Sequence, residues 1–161
     1  RLVARAERLR LGPLGKSAIL RKMSFEDFNK AFAPARTKSD WLSRDPAEVD
    51  KYELDPLCGF DVDVQFWVDF LDALDESVHA KANQEKVPKD MPILLLAGER
   101  DPVGDFGKGV RRLYEEYRSV GIRDLGITLY PGGRHEMLNE TNRGEVMADM
   151  LSFAKRVVAG A

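Results

Sequence analysis

Residues 92–104, which read PILLLAGERDPVG, join a short apolar run to a polar turn, and residues 126–136, GITLYPGGRHE, repeat that arrangement. The first run shows no alternation of apolar and polar residues, which is typical of a strand buried on both faces of a parallel sheet. Between the two stretches, apolar residues recur at helical spacing from Phe106 to Val120, and Gly121 follows as a helix end. The segment therefore predicts a β-α-β unit.

Asp101 and His135 each lie in the polar turn that follows one of these two strands. Sequential parallel strands usually lie side by side, about 4.8 Å apart, so the loops that leave their carboxyl ends are neighbours. We therefore expect the carboxylate and the imidazole to meet. Such an acid fixes the tautomer of a histidine that takes a proton from a serine nucleophile. Taken alone, the two residues are equally well explained by an Asp-Pro turn and a polar loop.

The rest of the chain predicts helices. After His135, a helix is expected to begin with Asn142 as its N-cap and to run almost to the end of the chain. Residues 1–11 predict an amphipathic helix ended by Gly12 and Pro13, and the alternative is an Arg-rich transit peptide. Short helices are expected over residues 24–32, 45–52 and 64–80, and the third has an apolar face broad enough to cover another surface.

Composition argues against several classes of function. The 161 residues, 43% of them hydrophobic, suit one ordinary domain with a buried core. With 25 basic and 27 acidic residues, the net charge of −2 does not favour nucleic acid or an anionic membrane as a partner. No apolar run approaches the roughly 20 residues of a membrane helix, so stable membrane insertion is not expected. The single Cys58 and the lack of a zinc-type Cys/His spacing favour a cytoplasmic protein without a metal.

Five stretches carry a resemblance to a known family. They are NKAF (29–32), RTKSDWLSRD (36–45), DPLCGF (55–60), LAGERDPV (96–103) and YPGGRHE (130–136). The chain resembles the C-terminal half of an α/β-hydrolase, in the branch of monoacylglycerol lipases, bacterial lysophospholipases and serine-aminopeptidase-like proteins. The first three stretches resemble the helical cap of that branch, and the last two resemble its final core-strand loops. The resemblance implies an α/β fold, with a cap over residues 1–88 and the last two parallel core strands with flanking helices over residues 89–161.

The resemblance also implies roles for two residues. Asp101 matches the triad acid after the seventh core strand, and His135 matches the triad base after the eighth. The third member would be a serine in a Gly-x-Ser-x-Gly turn, and this sequence contains no such turn. Since the chain order in this fold is serine, acid, histidine, we expect a serine upstream of Arg1 and a truncated chain that requires the N-terminal half of the fold.

Five neighbouring or reactive residues have simpler explanations. Asp105 is expected to be a helix N-cap, and the alternative is a substitute acid. His79 is expected to be exposed or to pair with a helix end. Arg134 and Glu136 flank His135 and are expected to shape its loop or to form a surface ion pair. Cys58 lacks the glycine that precedes a nucleophile in such a turn, so a small buried residue is expected rather than a cysteine nucleophile.

The function implied by the resemblance is hydrolysis of a lipophilic carboxylic ester, of monoacylglycerol or lysophospholipid type, by Ser-Asp-His acyl transfer without a cofactor. The cap would roof an apolar pocket over the carboxyl ends of the strands. Amide or peptide hydrolysis on the same fold is one alternative, because a fold does not dictate its chemistry. A non-catalytic binding module is another, if the chain is complete. The chain alone is expected to be inactive, since it lacks the nucleophile and the oxyanion hole.

Overall fold

The computed structural model describes residues 1–76 and 80–160. Its helices are α1 (Leu2–Leu11), α2 (Ala18–Arg21), α3 (Asp27–Asn29), α4 (Pro46–Leu54), α5 (Val64–Leu74), α6 (Lys81–Gln84), α7 (Lys108–Ser119) and α8 (Arg143–Ala159). Its strands are β1 (Ile93–Gly98) and β2 (Leu125–Tyr130). The structure also contains a π turn (Lys22–Glu26) and two 3₁₀ turns (Lys30–Phe32 and Met137–Asn139).

The β-α-β unit is confirmed. Strands β1 and β2 pair in parallel, in a register that runs from Ile93 opposite Leu125 to Gly98 opposite Tyr130. Helix α7 joins the strands and packs against both of them. Residues 93–96 are half-buried rather than buried on both faces, and β1 pairs on one side only within the described residues. The acid loop (residues 99–106) follows β1 and the histidine loop (residues 131–142) follows β2, so both leave the sheet at the carboxyl ends of its strands.

Helix α7 begins later than its apolar spacing predicts. Asp105 and Phe106 have φ of 49° and 55°, in the left-handed region, so neither can be part of a right-handed helix. The N-cap is Gly107, at φ 81°. The prediction of Asp105 as the helix N-cap is therefore wrong: its backbone carbonyl accepts a hydrogen bond from the Lys108 N–H, but its side chain caps nothing.

The amino-terminal helices pack around a small apolar cluster. Helix α1 is confirmed and ends at Gly12, whose φ is 76°. Ala4 on α1, Leu20 on α2 and Val64 on α5 are buried together. The predicted helix over residues 24–32 is the second half of a longer, irregular helical run that begins after Ser17, whose hydroxyl accepts a hydrogen bond from the Leu20 N–H.

The other predicted helices are confirmed in place, with differences at their ends. Asp45 caps α4, as its side chain accepts from the Ala47 N–H. Helix α5 begins as predicted, but its expected end at Ala80 is wrong, because Ala80 has an extended backbone and precedes α6. His79 lies outside the described residues. Asn142 is the N-cap residue of α8, yet its side chain bonds Glu145 and Arg44 instead of a backbone N–H of its own helix.

No helix within residues 1–76 and 80–160 combines the length and the apolar character that crossing a bilayer requires.

Candidate active site

The structure brings the side chains of Asp101 and His135 together. The Nδ1 atom of His135 lies 3.1 Å from each of the two carboxylate oxygens of Asp101. The Asp101 side chain is 11% exposed, and its Oδ1 also accepts a hydrogen bond of 2.9 Å from the Val103 N–H. A carboxylate held in this way fixes the orientation of the imidazole. Because Nδ1 faces Asp101, Nε2 is the ring nitrogen left to exchange a proton with another group.

Two glycines let the loops approach closely. A Cβ at Gly98, the last residue of β1, would overlap the carbonyl oxygens of Gly133 and Arg134 in the histidine loop. A Cβ at Gly133 would lie 2.8 Å from the sulfur of Met137. The space is used by a hydrogen bond, since the Arg100 N–H donates to the Gly133 carbonyl at 2.8 Å. The backbone of the acid loop is therefore bonded directly to that of the histidine loop.

A segment from the helical part of the chain lines the other side of the histidine loop. We call residues 41–44 the strap. The backbone N–H of His135 donates to the Trp41 carbonyl at 3.4 Å, and the backbone N–H of Glu136 donates to the Leu42 carbonyl at 2.8 Å. The Ser43 hydroxyl donates to the Asn139 carbonyl at 2.8 Å. The strap thus follows the histidine loop for several residues, although nearly one hundred residues separate them in sequence.

The buried side chain of Glu140 links the strap to the histidine loop. Its side chain has no solvent exposure. It accepts hydrogen bonds from the backbone N–H and the Nε of Arg44, at 3.1 and 2.8 Å, and from the backbone N–H groups of Arg134 and Thr141, both at 2.9 Å. Burial alone would raise the pKa of this carboxyl, but the hydrogen bonds from Arg134, Arg44 and Thr141 outweigh it and hold the pKa below its ordinary value.

Sequence reasoning missed Glu140. Nothing in the local pattern around it marks a buried carboxylate, because its partner Arg44 lies 96 residues earlier in the chain. The only available signal was that Arg44 and the histidine loop both belong to the stretches that carry the family resemblance.

Arg134 holds the histidine loop against the strap, which agrees with the loop-shaping role predicted for it rather than with a surface ion pair. Its guanidinium carbon lies 4.2 Å from the centre of the Phe32 ring. Its Nη1 donates to the carbonyl of Ser43 at 3.0 Å and also to that of Asp40. Burial lowers the pKa of Arg134, while the charge of Glu140 opposes that effect. Glu136 accepts a hydrogen bond from the Asn139 side chain at 2.9 Å.

His135 lies on the wall of an apolar cleft of about 500 Å³. The other walls come from α1, α5, the helical run over residues 18–32, the strap and the acid loop. The apolar residues that line it are Val3, Ala4, Leu20, Met23, Phe28, Trp41, Phe66, Trp67, Phe70, Leu71 and Val103. Arg1 and Ser24 complete the lining. A cleft of this size and character suits an alkyl or acyl chain.

The other reactive residues lie apart from this pair. The side chain of Asp105 is 67% exposed and lies 3.8 Å from Lys108. Cys58 is half-buried, and burial followed by the charge of Asp55 raises the pKa of its thiol, which disfavours the thiolate that a nucleophile requires. Among residues 1–76 and 80–160, no three His, Cys, Asp or Glu side chains are grouped as metal ligands would be.

Comparison with known proteins identifies the family. Residues 5–142 match the family described as "Serine aminopeptidase, S33". The chain belongs to this family. The monoglyceride lipase of Mus musculus is 31% identical over 129 residues, which are 78% of this chain and 40% of that protein.

Two solved structures, each 26% identical to the chain, share its fold. A highly thermostable carboxyl esterase from Bacillus coagulans, in complex with glycerol, superposes with a TM-score of 0.85 over 98% of this chain and 51% of its own. A lipase in its open form superposes with a TM-score of 0.83, again over 98% of this chain and 51% of its own. The chain therefore has part of an α/β-hydrolase fold, as predicted. It spans between two fifths and about half of the length of these relatives.

Proposed function

We propose that this chain is part of a serine hydrolase that cleaves lipophilic carboxylic esters, with Asp101 and His135 as the acid and the base of its catalytic triad. The observation that carries the proposal is the contact of Nδ1 of His135 with both oxygens of Asp101 on the wall of an apolar cleft. A buried carboxylate on one imidazole nitrogen, with the other nitrogen left for a reacting group, is the arrangement that activates a serine.

The chemistry follows from this geometry. His135 takes the proton of the serine hydroxyl at Nε2 as the oxygen attacks the ester carbonyl, and it then gives that proton to the departing alcohol. Asp101 holds the ring and stabilises the imidazolium formed between these steps. Water then attacks the acyl-enzyme and gives its proton to the same histidine, which returns it to the serine oxygen as the acyl–oxygen bond breaks and the carboxylic acid is released. None of these steps uses a metal or a cofactor.

The serine and the oxyanion hole belong, in this proposal, to a part of the protein that precedes these residues. The chain covers 40% of the mouse monoglyceride lipase and 51% of the Bacillus coagulans esterase, which supports this assignment. Residues 1–88 act as the cap over the cleft, and residues 89–161 complete the core. The N-terminal half is then an obligatory part of the active enzyme.

The apolar cleft supports a monoacylglycerol or a lysophospholipid as the substrate. Its lining is dominated by aliphatic and aromatic side chains, which favour a long acyl chain over a polar peptide. The relative named as a monoglyceride lipase supports the same class. Amide or peptide hydrolysis is the second candidate, because the family itself is described as a serine aminopeptidase.

Fluorophosphonate labelling of the full-length protein tests the proposal. We expect covalent labelling of the wild type and none of His135→Gln, whereas His79→Gln, the same change at the other histidine, labels normally. Hydrolysis of p-nitrophenyl esters of increasing acyl length should exceed hydrolysis of aminoacyl anilides. Equal labelling of His135→Gln would remove His135 from its role, and a preference for the anilides would favour the second candidate. A wild type that binds a lipid but neither labels nor hydrolyses would be a binding module.

A further inference from the structure

Trp41 is the side chain of the strap that contacts the proposed base. The centres of the Trp41 and His135 rings lie 5.1 Å apart, with an angle of 41° between their planes. Trp41 is 6% exposed, whereas the side chain of His135 is 37% exposed. Asp101 contacts Nδ1 of the imidazole, and the indole of Trp41 packs against the same ring at a tilt.

The position of Trp41 is fixed from several directions. The ring of Phe28 packs on it with 5.3 Å between ring centres. The backbone N–H of Trp41 donates to Oδ1 of Asn29 at 3.0 Å, and Nδ2 of Asn29 donates to the Thr37 carbonyl at 2.7 Å. The Trp41 carbonyl accepts from the His135 N–H. A ring held in this way can restrict the imidazole instead of following its motion.

The geometry points to Trp41 as a positioning residue for His135: it holds the imidazole against Asp101 and stabilises the protonated ring through its aromatic face. This inference rests on the proposed function, in which His135 becomes positively charged each time it accepts a proton. The face of an indole is negative, and a cation within about 6 Å of its centre is attracted to it. A turn that lies between two helices, outside the β-α-β unit, thereby takes part in the chemistry of the base.

Other charged groups also surround His135, and their effects must be separated from that of Trp41. Asp101 lies on Nδ1, Arg1 lines the same cleft, and Arg134 and Glu136 are its neighbours in the loop. All of them are still present when Trp41 is replaced. A change confined to Trp41 variants therefore reports on the contact of the indole with His135, which includes the hold of the imidazole against Asp101.

The experiment is a titration of His135 in the full-length protein, followed by NMR of ¹³C-labelled histidine and assigned with His135→Gln. In Trp41→Leu, we expect the titration midpoint of His135 to fall by about 0.5 pH, since the protonated ring loses its aromatic partner. The direction of this shift in the midpoint distinguishes loss of the aromatic partner from entry of water. A smaller side chain also admits water, which by itself would raise the midpoint. Trp41→Phe should recover part of the difference.

Trp67→Leu is the matched control. Trp67 lines the same cleft but packs its ring on Phe66 and Phe70. We expect this variant to raise KM and to leave the His135 midpoint unchanged. Where Trp41→Leu does not fold, as judged by circular dichroism, Trp41→Met fills more of the space without an aromatic face and should show the same fall.

Two results would overturn the inference. One is an unchanged or raised midpoint in the folded Leu or Met variant, and the other is an equal fall in Trp67→Leu. The titration is read without any substrate, so it tests Trp41 independently of activity. A wild type that is not labelled by a fluorophosphonate would instead refute the proposed function.

Discussion

Glu140 is the residue on which the strap and the histidine loop converge. Its buried carboxylate is satisfied by donors from both segments, so its replacement by an amide leaves one acceptor oxygen and turns an NH2 donor towards groups that are themselves donors. Breaking such an interaction is far more costly than the pair is worth as a whole. The effect should reach His135, because the Arg134 N–H is one of those donors.

We predict that Glu140→Gln lowers the free energy of unfolding by about 3 kcal/mol, since a buried hydrogen-bonded charge is removed from its partners. Urea denaturation of the full-length protein measures it. Glu136→Gln, the same change in the same loop, should cost less than about 1 kcal/mol because its carboxylate bonds the Asn139 side chain at an accessible site. Equal losses in the two variants would contradict the role assigned to Glu140.

A second prediction concerns Glu7 and the pH dependence of the stability of the folded protein. Hydrogen bonds from Arg10 and then Ser17 lower the pKa of its carboxyl from 4.5 to about 2. A carboxyl with a lowered pKa in the folded state contributes stability above its ordinary pKa and loses it as pH falls through the lowered value. We therefore expect stability to decline between about pH 4.5 and pH 2.

The matched variants are Glu7→Gln and Glu26→Gln. Replacing Glu7 should flatten the decline in denaturation midpoint over this range, whereas replacing the exposed Glu26 should leave the decline as it is in the wild type. An identical pH dependence in Glu7→Gln and the wild type would show that this carboxyl has no linkage to folding.

Among the elements, the close approach of the histidine loop to the end of β1 requires a glycine at position 98. Gly98 is where the backbone of the histidine loop crosses the end of β1, and no side chain fits there. Gly144, in the first turn of α8, has open space around its Cα. The same substitution at these two positions should have opposite effects.

We predict that Gly98→Ala destabilises the protein by about 1–3 kcal/mol and reduces activity, because the added methyl group pushes the acid and histidine loops apart. Gly144→Ala should be neutral or stabilising by up to about 1 kcal/mol, since alanine favours a helix. Thermal unfolding measures both. A stable and active Gly98→Ala variant would mean that the close approach of the loops is not required.

Sequence patterns predicted the elements better than their ends. The apolar runs of β1 and β2 and the helical spacing between them were sufficient for the β-α-β unit, because those patterns report burial directly. The start of α7 was not predictable, since nothing in the residue types of Asp105 and Phe106 announces two consecutive left-handed conformations. Hydrogen bonds within the acid loop hold this backbone, as the Phe106 N–H donates to the Asp101 carbonyl and the Asp105 N–H donates to that of Pro102.

At the scale of the whole molecule, the described residues leave apolar surface that a complete core would cover. Strand β1 pairs on one side only among these residues. Helix α8 also exposes four large apolar side chains, Met147, Met150, Leu151 and Val158. An unpaired edge and an open apolar surface favour association with another chain.

We therefore predict that these 161 residues, produced alone, form dimers or larger aggregates. Light scattering after size exclusion measures the mass, and the full-length protein is the control, which should show less association. A monomeric 161-residue chain that unfolds cooperatively would contradict this prediction.

The overall chain path decides which residues of the candidate site could be predicted from the sequence. Asp101 and His135 follow adjacent strands, so the order of elements alone places them together. The contacts of Trp41 and Glu140 depend on how the strap lies against the histidine loop, and no local pattern encodes contacts across nearly one hundred residues. The family resemblance supplied the expectation of a cap, but not the strap that touches the histidine loop.

The most direct test of the account is a comparison of two aspartates four residues apart in the full-length protein. Asp101 contacts the imidazole of His135, whereas Asp105 is exposed beside Lys108. We predict that Asp101→Asn lowers kcat for ester hydrolysis by about 10⁴-fold, because an amide favours the wrong imidazole tautomer, and that Asp105→Asn retains wild-type activity. Full activity in Asp101→Asn, or an equal loss in both variants, would contradict the account.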